Sequence, residues 1–476
     1  MGQARPPEPA DDKEEDMLPI KNTSMLQNTG DPLVRGPLLR MANHALAALN
    51  SERLIPSLVR LEGDILHVGD TVWNLADYRR VLVVGAGKAG NHMARALERI
   101  LGARISRGLV IVKQLEPGDE LAHIELALGG HPYPNESGRR ATQRVLDLLG
   151  GCASGDLVVS LISGGSSALM NCPAEGISVE EESRLTELLL TAGASILEIN
   201  TVRRHVSAVN GGRLAQRVSA SGAQMLNLIL SDRVGDTAVG TPRVPVVYTG
   251  TQIGLDPTTF LDAWNILKRY RLLAAAPDSV LEHLRRGPQL TETPKSPLPG
   301  VSNFVIQGLP DACAAAVDAA RAERLPVHVL TSGLEGDSRQ AGMFLAAVAR
   351  EIRDRGEPFV PPCVLVAAGE TTVRLNGPAG SGGPSQELAL SFAREVAGLA
   401  GVGIAAIETE GTDGPTALAG AVTDGTTPER CRAARVDILA ALDRHDCCPA
   451  LTAVGDQLET GNTGTNLCDL NIIYIA

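Results

Sequence analysis

The sequence predicts an α/β protein of two domains, each a mostly parallel sheet covered by helices in Rossmann-like layers. Three observations predict it. Apolar, β-rich runs alternate with helical patterns along most of the chain, a strand–glycine turn–helix unit stands at residues 81–101, and 476 residues are too many for one compact core.

The elements follow in order. Residues 1–30 are polar and charged, with Asp11-Asp12-Lys13-Glu14-Glu15-Asp16 at their centre, and read as a disordered tail. A first domain, 31–285, carries apolar runs at 81–84, 108–112, 157–162 and 225–230, with helical patterns at 138–149, 178–193 and 261–270. The runs are continuous rather than alternating, as strands covered on both faces require. The stretch 286–300 holds four prolines and no periodicity, which marks it as a linker. A second domain, 301–476, repeats the theme with strands at 326–330, 363–368 and 403–407 and helices at 312–322, 338–355 and 386–397. Strands in both halves empty into small, polar residues. Ligands gather beyond the carboxyl ends of such strands, so the active site is expected in a cleft between the domains.

Composition excludes several classes. Net charge is −12 and aromatics are 3%, so nothing steers the chain to nucleic acid or to an anionic membrane. Eight cysteines lie scattered without a Cys-x-x-Cys pair, which argues against a zinc site or a disulfide framework and for a reducing compartment. No apolar run is long enough to span a bilayer, and the N-terminal stretch lacks the centre of a signal peptide. A cytoplasmic enzyme acting on a small molecule, as monomer or homodimer, is the expectation.

Residues 81–90 carry the strongest chemical signal. Val81-Leu82-Val83-Val84 runs into Gly85-x-Gly87-x-x-Gly90, a layout that aims backbone N–H groups and a helix N-terminus at an anion. A dinucleotide fingerprint needs an acid at the end of the next strand, but 108–112 ends at Lys113-Gln114. Lys88 inside the loop suits a phosphoryl group in transfer. Ser163-Gly164-Gly165-Ser166-Ser167, after the strand at 157–162, offers a second loop of glycines and hydroxyls for an anion. Asp232, after the strand at 225–230, stands where a catalytic base or metal ligand would sit, and with Asp236 it forms a candidate Mg²⁺ pair; a turn or helix cap is the alternative. Arg203 and Arg213 offer guanidinium forks for a carboxylate, unless they are solvated. His131 reads either as a ligand contact or as a structural histidine. Glu370 and Asp413 place acids beside small residues at strand ends, where Asp413-Gly414-Pro415 also suits a plain turn.

Taken together the segments resemble the glycerate 2-kinase family, two-part proteins with a C-terminal leucine-rich module (here about 360–475), formerly described as hydroxypyruvate reductases. The resemblance rests on Gly85-Ala86-Gly87-Lys88-Ala89, Gly130-His131-Pro132-Tyr133-Pro134, the 161–169 loop, the 198–207 segment, Ser231-Asp232, Asp256-Pro257-Thr258-Thr259-Phe260, Gly369-Glu370-Thr371-Thr372-Val373 and Gly464-Thr465-Asn466. It implies ATP- and Mg²⁺-dependent phosphorylation of D-glycerate to 2-phosphoglycerate. Lys88 and Asp232 match the family's catalytic lysine and aspartate. Gly85, Gly87, Ser163, Gly164, Gly165, Ser166, Glu370 and Asp413 would hold the nucleotide. Arg203, Ser167 and Arg213 would hold the substrate, and Asp232 with Asp236 the metal. Several positions depart from the pattern: Pro384-Ser385 stands where Arg-Asn is usual, Asn210 for lysine, Glu410 for aspartate, and Arg233 for the valine after Ser-Asp. A kinase for another hydroxy acid and a catalytically silent binding protein are the alternatives, with a hydroxypyruvate reductase behind them.

Overall fold

A computed structural model describes residues 19–233, 252–375, 377 and 379–476. The chain divides into two compact units, one of Asn50–Asp311 with Gly464–Leu467, the other of the described residues up to Leu49 with Ala312–Thr463 and Cys468–Ala476.

The first unit opens with a small antiparallel sheet of β1 (Val59–Glu62), β2 (Ile65–Val68) and β3 (Thr71–Asn74). Its main sheet contains β4 (Arg80–Ala86), β5 (Arg107–Val112), β6 (Ile124–Leu128), β7 (Asp156–Ile162), β8 (Gln224–Leu230) and β9 (Val301–Gln307). The strands lie in the order β6-β5-β4-β7-β8-β9, every pair parallel. Period-two alternation sorts their side chains. Val81, Val83, Leu157, Val159, Leu226 and Leu228 pack on one face with Met93 and Leu97 of the helix Gly90–Leu101. Leu82, Val84, Val158, Ile162 and Met225 pack on the other with Val145 and Leu214. Both faces are therefore covered, which is why the strands read as unbroken apolar runs. The helices Val179–Thr191, Ile196–His205, Phe260–Arg269 and Asp278–Arg285 pack into a separate apolar cluster around Leu189, Val202, Phe260 and Leu281.

The strand order has a consequence for ligands. From β4 the chain moves outward to β5 and β6, then returns to β7 on the opposite side of β4 and continues outward. Loops leaving β4 and β7 thus part at their carboxyl ends, the position where open α/β sheets hold ligands.

The second unit departs from the expected parallel sheet. It contains β10 (Val327–Asp337), β11 (Cys363–Thr372), β12 (Val402–Glu408), β13 (Gly420–Asp424), β14 (Gln457–Leu458) and β15 (Asp469–Ile475), ordered β10-β11-β15-β12-β13-β14. Only β10 and β11 pair in parallel; the other four pairings are antiparallel. An unbroken apolar run reports burial on both faces and carries no information on direction. Direction came from two connections without a crossover helix: the irregular segment 409–419 between β12 and β13, and the insertion of the last strand between β11 and β12.

The boundaries differ too. Residues 286–300 are not a joint between units, because β9 follows them and completes the first sheet as an edge strand. Their prolines mark irregular backbone, and Thr293 within it is tied to Asp256 at 3.0 Å. Of the expected tail, residues 1–18 lie outside the described residues, whereas Thr23–Gln27 is helical and Ile20 and Leu26 are buried. The following helix, Pro32–Leu49, packs on β12 and β15. Its Arg35, fully buried, reaches Asp424 at 2.5 Å and Asp456 at 2.8 Å.

Candidate active site

Two glycine loops close on each other at the point where β4 and β7 part. Ser163 N–H donates to the Ala86 carbonyl at 3.2 Å, Ala89 N–H to Ser163 Oγ at 3.1 Å, and Lys88 N–H to the Gly164 carbonyl at 2.9 Å. Gly87 allows this approach: at φ +152° its backbone lies so near that a Cβ would stand 1.9 Å from Ser163 Oγ. Gly85 serves packing instead, since a Cβ there would meet the Leu161 carbonyl of β7 at 2.3 Å. The helix Gly90–Leu101 starts directly behind, with no side-chain cap and no acid in its first turn.

Around the Ser163-Gly164-Gly165 backbone the functional groups assemble. On one side, a Cβ on Gly164 would fall 2.0 Å from Asp232 Oδ2 and 2.1 Å from Asn466 Nδ2. Asn466 donates to that Asp232 oxygen at 3.1 Å, which orients the carboxylate. On the other side, a Cβ on Gly165 would fall 2.9 Å from His131 Cδ2, 3.1 Å from its Nε2 and 3.2 Å from Lys88 Cγ. Lys88 and Asp232 thus flank one short stretch of loop, each half-buried.

Arg203 reaches the same loop. It lies in the last turn of the helix Ile196–His205, is buried, and donates from Nη2 to the Ser167 carbonyl at 3.1 Å. Asn210, the position where lysine is usual, donates to the same carbonyl at 3.3 Å. Burial lowers the Arg203 pKa against the opposing pull of Glu182. Burial likewise lifts Glu182 to about 7, with Arg203 pulling the other way. Ser166 is buried, and its carbonyl accepts from Gln252 at 2.9 Å, so this serine braces the loop through its backbone.

Other expected site residues are placed elsewhere. Arg213 donates to the Thr291 carbonyl at 2.9 Å and lies over the Phe260 ring, 5.8 Å from its centroid, so its guanidinium is taken up by the helical part of the unit. Asp413 belongs to the other unit and is fully buried. Its oxygens accept from Ser385 N–H at 3.1 Å and Gln386 N–H at 2.8 Å, capping the helix Pro384–Glu395. Burial and the neighbouring Asp469 raise its pKa to about 7, so an expected nucleotide ligand is a helix cap. Pro384 occupies the first turn of that helix, where a missing N–H costs nothing. Glu370 is exposed near the end of β11 in the same unit, and Asp236 lies outside the described residues. Sequence reasoning gives Asn466 only as part of a polar stretch and misses its pairing with Asp232, 234 positions away, which tertiary folding alone makes. Its signal is the polar Gly464-Thr465-Asn466 run.

Fold and site define a two-unit α/β protein whose first unit sets a lysine and an oriented carboxylate on either side of a glycine loop at the switch point of a parallel sheet. Comparisons with known proteins give the family. Residues 37–285 match a domain of unknown function (DUF4147), and residues 363–469 match the MOFRL family. The chain is 40% identical to a glycerate 2-kinase of Pyrococcus horikoshii over 92% of this chain and 96% of that one. It is 38% identical to a D-glycerate 2-kinase of Thermotoga maritima over 83% and 90%. The crystal structure of a glycerate kinase from Thermotoga maritima superposes with a TM-score of 0.74 at 36% identity, covering 92% of this chain and 98% of that one. The chain belongs to the glycerate 2-kinase family.

Proposed function

We propose that this chain is a phosphotransferase that moves the terminal phosphoryl group of ATP to the 2-hydroxyl of D-glycerate. One observation carries the reading: Lys88 and Asp232 flank the Ser163-Gly164-Gly165 backbone, a cation and an oriented carboxylate on either side of an anion loop. Phosphoryl transfer asks mainly for positioning and charge stabilisation. Lys88 neutralises the group in transfer. Asp232, held by Asn466, orients the acceptor hydroxyl and takes its proton. Arg203 supplies positive charge beside Ser167 for the substrate carboxylate. Asp232 offers the oxygen donor that Mg²⁺ prefers, and no group of three or more His, Cys, Asp or Glu side chains gathers among the described residues. Such a cation would be held there by that carboxylate with water and phosphate oxygens, and would supply charge neutralisation.

The test is ATP turnover coupled to ADP detection with D-glycerate as acceptor. Turnover abolished by Lys88→Ala supports the reading; NADH oxidation with hydroxypyruvate, without ATP turnover, overturns it. Asn210, spending its amide on Ser167 where the family usually has lysine, favours a second reading: a kinase for another small hydroxy acid. A panel of hydroxy acids ranked by kcat/KM separates the two.

A further inference from the structure

His131 follows β6 and sets its ring edge in the space that a side chain at Gly165 would fill, beside the Lys88 side chain. The charged groups that face it come from three other segments: Lys88 after β4, Lys113 after β5 and Arg203 at the end of its helix. A histidine held for structural reasons spends its ring nitrogens on partners. His205 in the same unit does so, with Nδ1 2.8 Å from the Thr201 carbonyl and Nε2 3.1 Å from Glu292. His131 makes no hydrogen bond among the described residues.

We propose that His131 is a ligand-contacting residue, a neutral imidazole that donates a hydrogen bond to the oxyanion received between Lys88 and the 163–167 loop. Three cations already supply charge. A neutral donor adds direction without the cost of desolvating a fourth positive group. Burial first, and then Lys88, Lys113 and Arg203, hold the His131 pKa down to about 3, so the ring is uncharged near neutral pH. A bound anion offsets those cations and makes protonation easier. The identity of the anion rests on the kinase reading; the contact itself does not.

Histidine Cε1 resonances, with His131 assigned from a His131→Asn variant, give the test in the full chain. Adding inorganic phosphate, and separately ATP, is expected to shift the His131 resonance and raise its titration midpoint. A resonance and midpoint unmoved by saturating amounts of both overturn the proposal. In turnover, His131→Ala is expected to lose about 10- to 100-fold in kcat/KM, the range of a hydrogen bond to a charged group, while His131→Asn keeps a donor and loses less. Equal losses in the two variants, with unchanged melting temperatures, also overturn it. Should phosphate move the resonance while D-glycerate is not phosphorylated, the contact stands and the kinase reading falls.

Discussion

Gly164→Ala tests the geometry most directly. Gly164 is not among the glycines at positive φ, so alanine meets no backbone strain there. Its Cβ would nevertheless stand 2.0 Å from Asp232 Oδ2 and 2.1 Å from Asn466 Nδ2, where real Cβ atoms do not come under 3.0 Å. The carboxylate and the amide must each retreat by about 1 Å, and a misplacement of about 1 Å costs on the order of a hundredfold in rate. We expect kcat with ATP and D-glycerate to fall by that order while the melting temperature changes little. Gly155→Ala is the matched control. Its φ of +87° strains any side chain, yet nothing lies within 4 Å. That variant should lose about 1–2 kcal/mol of stability and keep its rate. Wild-type turnover in Gly164→Ala would refute the placement of Asp232.

Three further outcomes follow from the same structure. Asn466→Ala removes the donor that orients Asp232 and should lower kcat about tenfold, with KM for ATP little changed, in steady-state assays. Arg35→Ala leaves Asp424 buried without its cation, while Asp456 keeps Arg430 at 2.8 Å, and should cost about 3 kcal/mol by denaturant titration. Glu182 has a folded pKa raised to about 7 from 4.5, so folding keeps a proton that the unfolded chain releases. Its contribution is present below pH 4.5 and lost as pH rises towards 7, and Glu182→Gln should flatten that part of the stability–pH curve.

Much of the first unit was legible because each signal was local. The runs at 81–84, 157–162 and 225–230 became β4, β7 and β8 with margins of a few residues, and the glycine-rich loops follow β4 and β7 directly. Lys88, Ser163, Gly164 and Asp232 each follow a strand, and the folded chain brings them around one stretch of loop. Arg213 and Asp413 misled for one reason: a charged residue beside a turn looks the same in sequence whether it meets a ligand, an aromatic ring or a helix terminus. Asp413 found the free N–H groups of Ser385 and Gln386. Arg213 found Phe260 and the Thr291 carbonyl.

Periodicity, glycine placement and apolar continuity act over a few residues, so the amino-acid order already names most strands and helices and the glycine-rich loops that follow β4 and β7. It leaves open which strands run antiparallel in the second sheet, that β9 closes the first, and that Asn466 stands beside Asp232. The folded chain settles these through hydrogen bonds and contacts between residues far apart in sequence, and no local pattern records them.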